Sequence, residues 1–426
     1  MIIVDTALEK RAAENNPVQV GIIGAGYMGR GTVLTILSAF RGMRVAAVYN
    51  RTISQAERAY QQGGVEDFVK VETAVQLENA IANNRYAVAE DPMVLCEADN
   101  IDVIIEATGE IEFGAHVVMR AIEHGKHVVL MNAELDATVG PILKEYADKA
   151  GVVITNADGD QPGVVMNLYR FVKTIGYNPV MCGNIKGLQD HYRTPETQAE
   201  FARRNAQKPR LITSFADGTK ISMEMAVVAN ATGFGTSVRG MAGPRCKHAT
   251  EALDLFPMDK MMNGGLVDFI LGAEPGPGVF VLGYNENPIL QQYANYFKMG
   301  DGPLYVFYVP YHLPHLESPI TAARAALFKD AAVAPIGAPV CDVVTAAKRD
   351  LNAGEELDGI GGFMTYGMID NYDVSCAGNF IPMGLTEGCR LKRDIGIDEI
   401  LTYEDVIVPE GRLADKLRAE QTARFG

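Results

Sequence analysis

Residues 18–37 read VQVGIIGAGYMGRGTVLTIL. Val18, Val20, Ile22 and Ile23 form a short β-branched run, which predicts a buried parallel strand. Glycines follow at once, and Met28, Val33, Leu34 and Leu37 then recur at helical spacing. Gly24, Gly26 and Gly29 thus stand as G-x-G-x-x-G between a strand and a helix, the context that gives this motif its meaning. The first glycine permits a tight turn. The second lets backbone approach a pyrophosphate, and the third lets helix and sheet pack closely. The helix N-terminus adds free N–H groups and the positive end of a dipole. Gly24, Gly26, Tyr27, Met28 and Gly29 are therefore candidate dinucleotide contacts.

Working outward, further strand-like runs are MRVAAVYN, IDVIIEATG, KHVVLMN and VVITNA, separated by helical stretches such as FGAHVVMRAIEHG. This alternation predicts an α/β fold, a Rossmann-type doubly wound parallel sheet over 17–158, after a short helix in 1–16 stopped at Asn16–Pro17. Residues 159–335 mix helices and strands, as expected of an α+β substrate and oligomerisation domain. Within them, PRLITSFADGTKISMEMAVVANATG reads as a hairpin-like pair around Asp217–Gly218 that runs into a helix. Residues 336–426 read as a small β-rich module closed by a charged helix.

The 426 residues are 48% hydrophobic and 21% charged, as in ordinary globular proteins, and so long a chain needs no disulfides to fold. Six scattered cysteines without a C-x-x-C pair argue against a zinc ribbon or a disulfide scaffold and predict reduced thiols. A net charge of −15 argues against nucleic acid and anionic membranes as partners. No run approaches the ~18 apolar residues of a membrane span, and the N-terminus does not read as a secretory signal. The expected location is the cytoplasm. His312 and His315 are three apart, but Pro314 breaks the helix that would align them, so no metal site is predicted there.

Strand ends should carry the chemistry, because ligands of doubly wound sheets lie beyond the carboxyl ends of the strands. After the second strand comes Tyr49-Asn50-Arg51-Thr52. No acid stands there to bond a ribose 2′-hydroxyl, and Arg51 suits a 2′-phosphate, so NADP is expected ahead of NAD. Thr108, Gly109 and Asn132 end later strands and join the cofactor set. Glu134 and Asp136 lie two apart. They suit a substrate or acid–base role, a divalent cation, or simply the approach to a helix expected near Pro141. Asp158, Asp160 and Gln161 follow the last strand. Lys186, at a strand end in GNIKG, suits proton exchange with a reacting oxygen; a surface lysine is the competing reading. The catalytic candidates are Lys186, Glu134 and Asp160. The substrate candidates are Asp158, Gln161, His191, Arg245 and His312. Arg193, Arg203, Arg204 and Arg245 are the cations available for a substrate phosphate.

The segments VGIIGAGYMGRG and EHGKHVVLMNAELDATVGP, with the β-rich tail, resemble homoserine-dehydrogenase-like oxidoreductases with a C-terminal SAF domain. EMAVVANATG, GMAGPR, PYHLPHLESPITAAR and AKRDLNAGEELDGIGG point more narrowly to the 1-deoxy-D-xylulose-5-phosphate reductoisomerase-like group. The resemblance implies an NADP-dependent oxidoreductase or reductoisomerase of a phosphorylated, sugar-like substrate, in isoprenoid biosynthesis. It also implies a homo-oligomer and a SAF-like module over 336–426. Two positions depart from the pattern. Ala133 stands where homoserine dehydrogenases carry a lysine, and Gln161 stands where the narrower group carries an acid. A sugar-acid or homoserine-type substrate stays open. So does a non-catalytic dinucleotide sensor, which would need no positioned proton donor.

Overall fold

The computed structural model describes residues 3–426, so residues 1–2 of the expected N-terminal segment lie outside it. A helix spans Ile3–Ala13 and ends ahead of Pro17. By packing, the chain divides into two units. One runs up to Asp160 and takes in Leu313–Ala334; the other joins Gln161–His312 to Pro335–Gly426. The expected divisions at 158/159 and 335/336 follow chain order. Packing instead sends 313–334 back to the first unit, because Ala322 and Ala323 of the helix Pro314–Phe328 share its core with Val20, Ile36 and Ile105.

The first unit is built on β1 (Val18–Ile23), β2 (Met43–Tyr49), β3 (Phe68–Val71), β4 (Tyr86–Ala89), β5 (Val103–Glu106), β6 (His127–Leu130) and β7 (Ile154–Asn156). They form one sheet in the order β3-β4-β2-β1-β5-β6-β7, parallel throughout. Val18, Val20 and Ile22 are fully buried, each burial contributing about 1.5–3 kcal/mol. Chain order reverses across β1, which lies between β2 and β5. That is the switch point where a doubly wound sheet leaves a crevice.

The second unit holds β8 (Asn178–Lys186), β9 (Leu266–Leu271), β10 (Gly278–Tyr284) and β11 (Leu304–Val309), in the order β11-β10-β8-β9. Only β8 and β9 run parallel. The expected hairpin around Asp217 is corrected: two helices, Pro209–Ala216 and Thr219–Thr232, meet there. Gly218 makes the turn at φ +91°, and Asp217 Oδ1 accepts the Thr219 N–H at 2.8 Å. Residues 219–231 are all buried, so the second helix has no polar face to betray its period in sequence. The tail contributes two antiparallel pairs, Cys341–Ala347 with Thr365–Asn371 and Arg390–Leu391 with Val406–Ile407, then the helix Leu413–Phe425.

All six cysteines are free, and Cys96, Cys182, Cys341 and Cys389 are buried. Among the described residues no helix is long and apolar enough to cross a membrane.

Candidate functional site

The glycine loop leaves β1 with Gly24 at φ +106°, its N–H bonded to the Tyr49 carbonyl at 2.9 Å. A Cβ on Gly24 would stand 2.7 Å from the Ala107 oxygen, so only glycine fits. A Cβ on Gly29 would run into the Gly24 carbonyl. Gly26 differs, since a Cβ there would meet nothing within 4 Å. The open space lies on the loop, and the helix Tyr27–Ala39 begins at Gly26 without a side-chain cap. An open face and uncapped N–H groups are what a pyrophosphate requires, so the cradle fits a dinucleotide.

Asn50 braces this loop: its Oδ1 accepts the Ala25 N–H at 2.9 Å, and its Nδ2 donates to the Thr52 carbonyl at 3.0 Å. Arg30 donates to the Ala25 carbonyl at 3.0 Å and to Gln55 at 3.1 Å. Its pKa is held below the usual arginine value by burial and by nearby Arg58. Arg51 is exposed. The end of β2 thus carries positive charge and no acid.

At the ends of β5 and β6 lies a residue the sequence reading missed. Glu106 is fully buried. It accepts from the Thr108 N–H at 2.9 Å, the Thr108 hydroxyl, and Asn132 Nδ2 at 2.9 Å. Burial raises its pKa. Asn132 also caps the next helix, its Oδ1 accepting the Leu135 N–H at 3.1 Å. These bonds hold Thr108 and Asn132 in place, while Gly109 turns at φ +71° in open space.

The helix expected near Pro141 begins eight residues earlier, at Ala133, and runs to Ala150 with Pro141 inside it. The Asn132 cap and the burial of the first two turns outweigh the one hydrogen bond that proline cannot donate. Glu134 and Asp136 therefore occupy the first turn, buried. Asn156 donates to Asp136, whose carboxyl burial pushes up to about 7. Among the described residues no group of three acids, histidines or cysteines suits a metal ion.

Asp158 is buried and accepts the Gly159 N–H at 2.9 Å, with Arg324 at 3.8 Å. Asp160 is half-buried just before the helix Gln161–Thr174, and His312 is half-buried just before the helix Pro314–Phe328.

The second unit brings two of the candidates, Lys186 and Gln161, together at the carboxyl end of β8. Lys186 Nζ donates to Gln161 Oε1 at 2.9 Å and lies 3.5 Å from Glu224 Oε2. Asn184 Nδ2 donates to Gln161 Oε1 at 2.9 Å and to Glu224 Oε2 at 3.2 Å. Asn184 is fully buried, yet its Oδ1 has no partner. Lys220, one helical turn before Glu224, is buried too. The sequence reading missed Asn184, Lys220 and Glu224. The available signal was a Lys and a Glu four apart in an otherwise uncharged helix.

Beyond the ends of β8 and β9 lies a cavity of about 240 Å³ lined by Gln189, His191, Arg239, Met241, Phe269 and Met368, among others. His191 Nδ1 bonds the Asp217 carbonyl at 2.7 Å, and its ring stacks on Tyr366 at 4.4 Å. The arginines do not gather. Arg203 and Arg204 both pair with Glu200, Arg193 pairs with Asp190, and Arg245 is exposed.

Residues 18–131 match the profile described as an oxidoreductase family with an NAD-binding Rossmann fold. They are an NAD(P)-binding Rossmann module. Residues 159–318 match the catalytic domain of an oxidoreductase termed DRL, a span that encloses Gln161, Asn184, Lys186, Lys220 and Glu224. A homoserine dehydrogenase of Neisseria gonorrhoeae is 28% identical over 141 residues, 32% of this chain and 28% of that protein. One from Pseudomonas aeruginosa is 31% identical over 138 residues, again 32% and 28%. The chain thus spans little more than a quarter of the length of these curated relatives. Among solved structures, a homoserine dehydrogenase from Thiobacillus denitrificans aligns over 80% of this chain and 83% of its own, with TM-score 0.44 and 15% identity. A 1-deoxy-D-xylulose 5-phosphate reductoisomerase from Zymomonas mobilis aligns over 74% and 82%, with TM-score 0.39 and 13% identity.

Proposed function

We propose that this chain, an NAD(P)-dependent oxidoreductase by its family matches, moves hydride between NADP and a small hydroxylated, phosphorylated, sugar-like substrate. The observation that carries this reading is the largely buried group of Lys186, Gln161, Asn184 and Glu224 at the end of β8. A carbonyl undergoing reduction gathers negative charge on oxygen. An ammonium fixed beside it neutralises that charge and supplies the proton. Lys186 is fixed in this way by Gln161 and Glu224. Glu224 balances its charge, as a largely buried ammonium requires. The unpartnered Asn184 Oδ1 offers an acceptor for a substrate hydroxyl. The cavity beyond the ends of β8 and β9 is below the ~300 Å³ of drug-sized pockets, a size that suits a small metabolite.

The nicotinamide, when bound, gives or takes the hydride. Gly24, Gly26, Tyr27, Met28 and Gly29 would hold its pyrophosphate, with Thr108 and Gly109 at the neighbouring strand end. Arg51 would meet the 2′-phosphate. Glu134 and Asp160 orient the substrate in this reading, with Asp158, Gln161, His191, Arg245 and His312 as further contacts. Residues 336–426 form the SAF-like module, and the protein acts in the cytoplasm.

The test is NADPH oxidation and NADP reduction by the purified chain against a panel of sugar phosphates, aldonates and homoserine. Turnover of a sugar phosphate supports the proposal. Turnover of homoserine or an aldonate alone replaces the substrate. Tight NADP binding with no turnover, unchanged by Lys186→Ala, favours a sensor.

A further inference from the structure

The tail, residues 336–426, takes no part in the chemistry proposed above, yet it reaches the cavity beyond β8 and β9. Met368, on the strand Thr365–Asn371, lines that cavity. Tyr366 is two residues earlier on the same strand, hence on the same face. Its ring stacks on His191 with centroids 4.4 Å apart and planes 20° apart. The Tyr366 hydroxyl donates to Asp398 Oδ1 at 2.9 Å, and Tyr192, next to His191, donates to Asp398 Oδ2 at 2.8 Å. Lys348 fastens the same loop from a second point. An ammonium has three donors, and here they go to the Arg193 carbonyl at 2.9 Å, the Gly362 carbonyl at 2.8 Å and Asp217 Oδ2 at 2.8 Å. The Lys348 and Asp217 side chains are 2% and 0% exposed, so this anchor is buried.

These contacts set what His191 offers a ligand. Its Nδ1 stands 2.7 Å from the Asp217 carbonyl, which only accepts, so Nδ1 carries the proton. In the neutral ring Nε2 then keeps a lone pair, and it has no partner among the described residues. Nε2 is thus the polar atom that His191 has for the cavity it lines. The charged side chains lining that cavity are balanced already: Asp190 pairs with Arg193 at 2.9 Å, and Arg239 with Asp370 at 2.6 Å. An acceptor nitrogen among balanced charges suits a carbinol hydroxyl rather than a phosphate. The wall Gly240–Gly243 is held firmly as well. Asp268, buried on β9, accepts the Ala242 and Gly243 N–H groups at 2.9 Å each, and Met241 is kept at φ +69°. A non-glycine residue at positive φ persists only where its surroundings fix the backbone. We infer that the tail is a working wall of the substrate site: Tyr366 is a positioning residue that holds His191 so that Nε2 accepts a hydrogen bond from a substrate hydroxyl. The inference rests on the reading that this cavity admits the substrate.

The experiment has two readouts. The first is nitrogen NMR of the full chain with isotope-labelled histidine, the His191 signals being assigned by their loss in His191→Phe. The neutral ring should carry its proton on Nδ1, and a proton on Nε2 overturns the inference. Sugar phosphates, aldonates and homoserine are then added in turn to the NADP-loaded protein. At least one should shift the Nε2 resonance, and silence from all of them overturns the inference too. The second readout is steady-state kinetics on the substrate found among these compounds. His191→Phe keeps the stack but removes both nitrogens, and should raise KM about tenfold or more with a smaller effect on kcat. Tyr366→Leu removes the stack and should raise KM in the same way, whereas Tyr366→Phe restores the ring and should recover most of the loss. An unchanged KM in His191→Phe or in folded Tyr366→Leu overturns the inference, and His191→Phe keeps the test alive should Tyr366→Leu misfold. Lys186→Ala separates this result from the proposed chemistry. Wild-type turnover in that variant sinks the chemistry and leaves the His191 result standing, while an inactive Lys186→Ala beside an unmoved KM in His191→Phe sinks this inference alone.

Discussion

Lys186 Nζ lies 3.5 Å from Glu224 Oε2, in a site where the two side chains are only 17% and 4% exposed. The pair joins the carboxyl end of a strand to the middle of a helix, and Gln161 and Asn184 complete it from a second helix and the same strand. The proposed function makes this ammonium the proton donor to the substrate oxygen. Lys186→Ala is expected to cut turnover roughly 10²–10⁴-fold, with NADP affinity unchanged. Glu224→Gln is expected to cut kcat about tenfold or more by loosening the lysine, with a smaller effect on KM. Steady-state rates on the substrate found in the panel decide this. Wild-type rates in Lys186→Ala would make the lysine a structural residue.

Arg51 stands exposed at the end of β2, where an NAD-preferring site carries an acid. Arg51→Asp should weaken NADP binding at least tenfold, about 1.4 kcal/mol, and bring NAD to parity or beyond. Fluorescence titration with both cofactors measures this. A wild-type protein that prefers NAD tenfold would refute the assignment.

The buried Asp136 carboxyl has a pKa of about 7 in the folded chain, above the ordinary 3.8. Between those values the folded state keeps a proton that the unfolded state has lost. Stability therefore falls as pH rises through this window and levels off above it. Glu317, also raised to about 7, acts with the same sign. Asp136→Asn should flatten, without abolishing, the slope of urea midpoints between pH 5 and 8. A slope identical to that of wild type would contradict the burial argument.

In the tail, Arg418 Nη1 lies 3.3 Å from Asp342 Oδ1, its Nη2 is bonded to Asp342 Oδ2, and Ser375 donates to the same carboxylate at 3.1 Å. Both charged side chains are buried. Arg418→Ala strands the carboxylate and should cost about 3–5 kcal/mol. Arg418→Met with Asp342→Leu should recover much of that loss, because replacing both members leaves no buried charge. Thermal melts of the two variants check the pair, and equal Tm losses would show that its charges are immaterial.

Much of the first unit was legible in residues 18–37 alone. A β-branched run, three spaced glycines and a helical period are local signals, and a parallel strand buried on both faces needs nothing distant to declare itself. The end of β2 was legible for the same reason, since Arg51 lies next to the strand it follows. The true start of the helix at Ala133 is not legible locally, because Pro141 signals a helix start and the burial that overrides it lies in the tertiary structure. The turn at Asp217 reads as a hairpin in sequence because a helix buried on every side has no polar stripe to reveal its period.

The sequence by itself determined the dinucleotide loop, the absent acid after β2 and the position of Lys186 at a strand end. Only the tertiary structure decided what Lys186 touches. Gln161, Asn184 and Glu224 lie 25, 2 and 38 residues from it in sequence, and packing around β8 alone brings them within 3.5 Å of one another or of its ammonium. Likewise, Glu106 bonds Thr108 locally but reaches Asn132 only because β5 and β6 pair. The physical reason is common to both. Backbone geometry is written in neighbouring residues, whereas a buried charge takes its partners from whatever the fold packs against it.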